Sequence, residues 1–188
     1  TLAAADQYGD KMSSDQEPIE GGVAAPTGFF AGATYTGIRN YGPQPRFDLG
    51  VLFSEQLATV AGMFTRNAVV GAPLLLTRER VSGGVARAIV VNSGIANVAT
   101  GTAGADDAQR MAELTAAHLG IDPTEVLIGS TGVIGRRLDM DRIESGIAEI
   151  KVDRKGGPQF ARAMMTTDTR AKESAVRLEV DGYSYIVG

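Results

Sequence analysis

"VARAIVVNSG", residues 85–94, decides the architecture. Ala88-Ile89-Val90-Val91 is a nearly continuous apolar run, the pattern of a strand in a sheet covered on both faces. It stops abruptly at polar Asn92-Ser93-Gly94. Downstream, "NSGIANVATGTAG" (92–104) leads into a helical pattern over 105–119. There Ala108, Met111, Ala112, Thr115 and Leu119 recur at three- and four-residue steps, and Gly120 supplies the stop. A second short strand is predicted over 125–129, followed by "GSTGVIG" (129–135). Asp139 then caps a helix whose Met140, Ile143, Ile147 and Ile150 form one apolar stripe.

Outward from this strand–helix–strand–helix centre, the flanks look antiparallel. A strand is predicted over 29–38. Two short strands, "RFDLGVLFSE" and "ATVAGMFTRN", are expected around a turn at Glu55-Gln56. "GAPLLLTRERVSGG" reads as a strand running into a helical turn. "GGPQFARAMM" gives a short helix opened by Pro158, and "SAVRLEV" with "YSYIV" form a hairpin around Asp181-Gly182. The whole is an α/β chain, a mixed layered sheet-and-helix domain. Residues 1–20 are polar, acidic and aperiodic, and read as a flexible tail without signal-peptide or transit-peptide character. Residues 183–187 read as a buried strand followed directly by Gly188, an ending that proteolytic processing would explain.

Composition narrows the function. The chain has 44% hydrophobic and 21% charged residues, ordinary for a globular domain. A net charge of −4, from 18 basic and 22 acidic residues, argues against nucleic acid or an anionic membrane as the main partner. No apolar run approaches the ~20 residues of a spanning helix. Cysteine is absent, so disulfides, thiolate metal sites and a cysteine nucleophile are excluded. The single histidine, His118, falls in the last turn of a predicted helix, where the dipole favours it structurally, and no metal site is expected. Any chemistry must therefore rely on hydroxyls and backbone amides.

Three stretches offer such groups. In "GSTGVIG" the glycine spacing matches neither G-x-G-x-x-G nor the P-loop. It is either a plain turn or a backbone N–H and a hydroxyl presented together at a strand end, the pair that stabilises an oxyanion in acyl transfer. The asparagine-rich loop after residue 92 either caps turns or lines a ligand site at strand ends. "TTDT" (166–169) is either a hydroxyl-rich turn or a polar cluster that orients an amino-acid substrate.

Taken together and in order, "GGVAAPTGFFAG", "AGMFTRNAVVGAPLLLTRE", "RAIVVNSGIANVATG", "VLIGSTGVIG", "MDRIESGI" and "AMMTTDTRAKE" give a wider signal. Over about residues 21–188 the chain resembles the alpha part of the ornithine acetyltransferase (glutamate N-acetyltransferase) family of the cyclic arginine pathway. The resemblance implies a cytoplasmic enzyme cut from one precursor that cleaves itself before a threonine. Residues 21–188 are then an alpha-chain catalytic domain completed by a beta chain, in a heterotetramer of two alpha and two beta chains. The threonine that begins the beta chain takes acetyl from N-acetylornithine and passes it to glutamate, and some members also accept acetyl-CoA as co-substrate. No cofactor is implied. By motif match Thr131 and Gly132 fall on the family's oxyanion pair, and Thr166 on a substrate-binding position. Ile95, Ala99 and Ala171 depart from the family's usual asparagine, cysteine and proline. Two other classes compete: a self-processing aminopeptidase or amidohydrolase of similar architecture, with water as acceptor, and a non-catalytic binding protein on the same scaffold.

Overall fold

The computed structural model describes residues 16–39 and 46–188. Seven strands and four helices follow in the order β1 (Gln16–Ile19), β2 (Phe29–Thr34), β3 (Leu49–Thr59), α1 (Ala72–Val81), β4 (Val85–Ile95), α2 (Gly101–Leu119), β5 (Val126–Val133), α3 (Met140–Glu149), α4 (Gly157–Ala163), β6 (Ala175–Val180) and β7 (Tyr183–Val187). A four-stranded sheet has the order β2-β3-β4-β5, and a three-stranded one the order β1-β6-β7. Every pairing is antiparallel except β4 with β5, which run parallel and are joined through α2. This is the expected mixed α/β architecture.

The larger sheet owes its core to alternation. Ala88 and Val90 of β4, Leu49 and Val51 of β3, and Val126 and Ile128 of β5 all turn to one face. There they meet Met111, Ala112 and Ala116 of α2 and the stripe Ile143, Ile147, Ile150 at α3. Asp139 caps α3 as expected, its carboxylate accepting from the Arg142 N–H. The opposite face is covered only in part. Phe160 of α4 packs there with Ala24 and Ala31, while Arg87, Ile89 and Val91 stay half-buried. The expectation of a strand buried on both faces therefore holds fully on one side only.

Both edges of this sheet are closed. At β2 the backbone of Ala31 exchanges two 2.9 Å hydrogen bonds with Asp153. At β5 the Thr77 hydroxyl accepts from the Ile128 N–H at 2.8 Å and donates to the Ile128 carbonyl at 2.7 Å, and the Arg80 guanidinium donates to the Val126 carbonyl. Helix α1 thus satisfies the outward backbone groups of an edge strand, which would otherwise invite another chain.

Several sequence expectations need correction. The two strands predicted around Glu55-Gln56 are one strand, β3, whose register against β4 jumps between Phe53 and Ala58. The extra residues form a bulge, with the Ser54 hydroxyl donating to the Gln56 carbonyl at 2.7 Å. "GAPLLLTRERV" is helix α1 rather than strand, opened by Pro73. The flexible tail expected over 1–20 is ordered at its end, where Gln16–Ile19 pairs with β6; residues 1–15 lie outside the described residues. The hairpin turn is as read, with φ of 51° at Asp181 and 78° at Gly182. Its second strand is not buried, however: Tyr183, Tyr185 and Val187 are exposed. Among the described residues no helix is long and apolar enough to cross a membrane. His118, in the last turn of α2, places its Nε2 2.8 Å from the Ile150 carbonyl, a contact that ties the ends of α2 and α3 together.

Candidate functional site

Because β4 and β5 are parallel and in register, their carboxyl ends lie side by side. Asn92 faces Ser130, Ser93 faces Thr131, Gly94 faces Gly132, and Ile95 faces Val133. Ligand sites collect at such strand ends. Fully buried Asn92 accepts from the Ser130 hydroxyl at 2.6 Å and donates to the Ile95 carbonyl at 2.9 Å, so one amide clamps both strands. Alternation puts Ser93 and Thr131 on the other face, away from α2 and α3. Half-buried Thr131 makes no side-chain hydrogen bond among the described residues. Beside it, the Ser93 hydroxyl is buried and has no partner among the described residues.

The backbone has a parity of its own. The N–H and C=O of Ile128 point outward to Thr77, whereas the Val133 carbonyl points inward and accepts from the Ala96 N–H at 2.9 Å. The same alternation carries the Gly132 N–H to the outward side. Gly132 has φ of 129°, and a Cβ there would lie 2.3 Å from the Gly94 carbonyl carbon and 2.4 Å from its oxygen. Only glycine fits. A cavity of about 300 Å³ lies along this outward side, against Leu74, Val98, Gly129 and Ser130.

The turns around this end are held from several directions. The Gly135 N–H donates to the Val98 carbonyl at 2.9 Å. Arg137 grips Asp107, near the start of α2, with both arms of its fork at 3.1 and 2.6 Å, and this hydrogen bonding and charge raise the guanidinium pKa further. Asn97 is buried with φ of 50°, and its amide is fully engaged, donating to the Gly104 carbonyl at 2.8 Å and accepting from the Thr100 hydroxyl at 2.7 Å. For Asn97 and Thr100 the turn-capping reading of the asparagine loop is therefore the right one.

Thr166 joins the cluster through Arg39. Buried Asp48, one residue before β3, accepts from the Thr36 N–H at 2.6 Å, the Thr36 hydroxyl at 2.9 Å and the Arg39 N–H at 3.0 Å. Its own carbonyl accepts from the Ser93 N–H at 2.8 Å. Thus anchored, the Arg39 backbone lies against Gly94, where an added Cβ would come 3.0 Å from the Arg39 Cα. The buried Arg39 guanidinium then donates to the Met165 and Thr166 carbonyls. This grip is on main chain, leaving the half-exposed Thr166 side chain for other use. Next to it, the Lys172 ammonium, 2.6 Å from Asp168, holds that carboxyl below the usual carboxylate range.

Thr131, Gly132 and Thr166 are therefore linked by one chain of contacts running through Ser93-Gly94 and Arg39. Sequence reasoning missed Asp48, Arg39 and Arg137. Asp48 left a trace, an acid set inside the apolar run "RFDLGVLF"; Arg39 left none. Ile95, the departure from the family pattern, offers its carbonyl to Asn92 while its side chain packs at the core's margin.

Comparison with known proteins agrees with this geometry. The family model described as ArgJ matches residues 30–188. The chain is 43% identical over 177 residues to the arginine biosynthesis bifunctional protein ArgJ of Dehalococcoides mccartyi, covering 94% of this chain and 43% of that protein. Against the ArgJ protein of Bacillus subtilis it is 38% identical over 180 residues, with coverages of 95% and 43%. The chain thus spans less than half the length of these relatives. Among solved structures it resembles the ArgJ protein of Bacillus halodurans, with a TM-score of 0.86 at 37% identity, covering 94% of this chain and 92% of that one. It also resembles the ornithine acetyltransferase of Mycobacterium tuberculosis, solved in complex with ornithine, with a TM-score of 0.80 at 37% identity and 92% of each chain covered.

Proposed function

The chain belongs to the ArgJ family, and on that premise we propose that it is the alpha chain of an acetyltransferase moving acetyl from N-acetylornithine to glutamate. In this reading the remainder of the enzyme is a beta chain cut from the same precursor, whose first residue is a threonine nucleophile. Two alpha and two beta chains assemble in the cytoplasm, and acetyl-CoA is a second acetyl donor.

The threonine hydroxyl attacks the acetyl carbonyl, its own α-amino group taking the proton. The carbonyl oxygen becomes an oxyanion, which the Thr131 hydroxyl and the Gly132 N–H receive. Collapse breaks the amide bond and returns the proton to the departing ornithine amine. Glutamate's amine then attacks the acetyl-threonine ester through the same oxyanion, releasing N-acetylglutamate and the free hydroxyl. Thr166 holds a polar part of the amino-acid substrate without entering the chemistry.

The observation that carries this reading is the pairing at the end of β5. There a threonine hydroxyl without an internal partner stands beside a glycine whose N–H faces outward and whose Cα has no room for a side chain. The test is Thr131→Ala in the whole enzyme, assayed with N-acetylornithine in the presence and absence of glutamate. Loss of one oxyanion donor costs on the order of 10²–10³ in rate. Unchanged turnover removes Thr131 from the mechanism, and acetate release indifferent to glutamate identifies a hydrolase instead.

A further inference from the structure

On the far side of Arg39 lies a second cavity, of about 490 Å³. Arginines from separate parts of the chain converge on it: Arg39, Arg46 just ahead of β3, Arg162 on α4, and Arg170 beyond it. Tyr35 and Phe47 add aromatic surface to the wall, and no aspartate or glutamate lines it among the described residues. Arg39 is committed to the Met165 and Thr166 carbonyls. Arg46, Arg162 and Arg170 form no ion pair or hydrogen bond among the described residues. Elsewhere Arg110, Arg137, Arg142 and Arg177 each face a carboxylate. In a chain of net charge −4, acids are plentiful, yet none neutralises this group.

Like charges gathered without counter-charges repel one another, and an anion that enters relieves the repulsion. Guanidinium forks match phosphate oxygens two at a time. The volume lies within the ~300–1,000 Å³ range of small-molecule pockets. An amino acid is a poor occupant, since its ammonium group would find only cations here. We propose that this cavity binds the phosphate-bearing end of a nucleotide, with Arg46, Arg162 and Arg170 on the phosphates and the base against Tyr35 and Phe47. A free nucleotide and the adenosine bisphosphate end of coenzyme A share this chemistry. The inference rests on the cavity and not on the acyl-transfer reading.

The test is isothermal titration calorimetry on the intact protein that carries this chain, with inorganic pyrophosphate, ADP and coenzyme A as probes and glutamate as the control. Arg162→Gln and Arg170→Gln alter exposed side chains, so both variants should melt as the wild type does. Each should weaken binding by about 10-fold or more, the scale of a lost hydrogen bond to a charged group. Arg162→Lys, which keeps the charge without the fork, should fall between wild type and Arg162→Gln. Thr131→Ala should bind like wild type even though its acyl transfer fails, which separates this site from the catalytic one. Tighter binding of coenzyme A than of ADP identifies the acyl carrier as the source, and the reverse a free nucleotide. Absence of phosphate binding, equal binding in the arginine variants, or displacement of pyrophosphate by glutamate overturns the proposal.

Discussion

Gly132→Ala separates an oxyanion donor from a mere turn, provided Gly135→Ala is made beside it. At Gly132 the added methyl would sit 2.3 Å from the Gly94 carbonyl carbon, so the two backbones must part by about 1 Å to reach ordinary contact. A φ of 129° adds strain of about 1–3 kcal/mol for any residue but glycine. At Gly135 the φ is 78° and nothing lies within 4 Å of an added Cβ, so only the left-handed backbone cost of about 1–2 kcal/mol applies. Both variants should therefore melt a few degrees lower, at about 2–4 °C per kcal/mol for a domain of this size. Their kinetics should diverge. A 1 Å misplacement of a catalytic group costs on the order of 10² in rate, and loss of the donor on the order of 10²–10³. Glutamate acetylation by the whole enzyme should accordingly fall by that factor in Gly132→Ala and stay within a few-fold of wild type in Gly135→Ala. A folded Gly132→Ala enzyme with wild-type kcat, or equal losses in the two variants, refutes the reasoning.

Thr166→Val should weaken use of N-acetylornithine by roughly 10-fold, from an unpaired substrate group worth about 1–3 kcal/mol, while leaving the fold and precursor cleavage intact because Arg39 holds the main chain; wild-type steady-state kinetics would remove Thr166 from the substrate site. Thr77→Val leaves both the N–H and the C=O of Ile128 unpaired, so thermal denaturation should show a loss of about 1–3 kcal/mol, whereas an unchanged melting temperature would mean α1 does not support the edge. Arg137→Ala frees the turn after β5 from α2, and hydrogen exchange should quicken at Gly132 and Gly135 with kcat falling alongside; exchange as slow as wild type would show the Asp107 pair to be dispensable.

What the sequence made legible was local. The stripe at 143, 147 and 150 needs only the helical period, and Asp181-Gly182 names its own turn. Strand β3 and helix α1 escaped because partners distant in sequence decide them. The bulge in β3 is set by pairing with β4 some thirty residues on, and the Ser54–Gln56 contact that mimics a turn is part of it. Helix α1 has consecutive leucines with no single apolar face, and it is fixed by Thr77 and Arg80 reaching backbone groups on β5, 51 and 46 residues away. The site divides in the same way. Thr131 and Gly132 announce themselves as hydroxyl and glycine at the end of an apolar run. Arg39 acquires its role only when carbonyls 126 and 127 residues downstream are folded against it.

An oxyanion donor works by being rigid before the charge appears, and β5 is an awkward place for one, since an edge strand is ordinarily the loosest part of a sheet. The structure resolves the conflict by dividing the edge. Over Val126 to Ile128 the outward backbone groups are satisfied by Arg80 and Thr77, which fixes the strand's position. Beyond Ser130 α1 makes no such bond, and the outward side stands open where Gly132 presents its N–H. Rigidity there comes instead from the inner side: Asn92 on Ser130, Ala96 on Val133, Val98 on Gly135 and Asp107 on Arg137. The edge is thus clamped where it would aggregate and left free where it must meet a carbonyl. It follows that Thr77 and Arg137 are positioning residues for the same pair of donors, one from each side. Losing both should depress kcat more than stability measurements on the single variants imply, because each clamp limits the motion that the other permits.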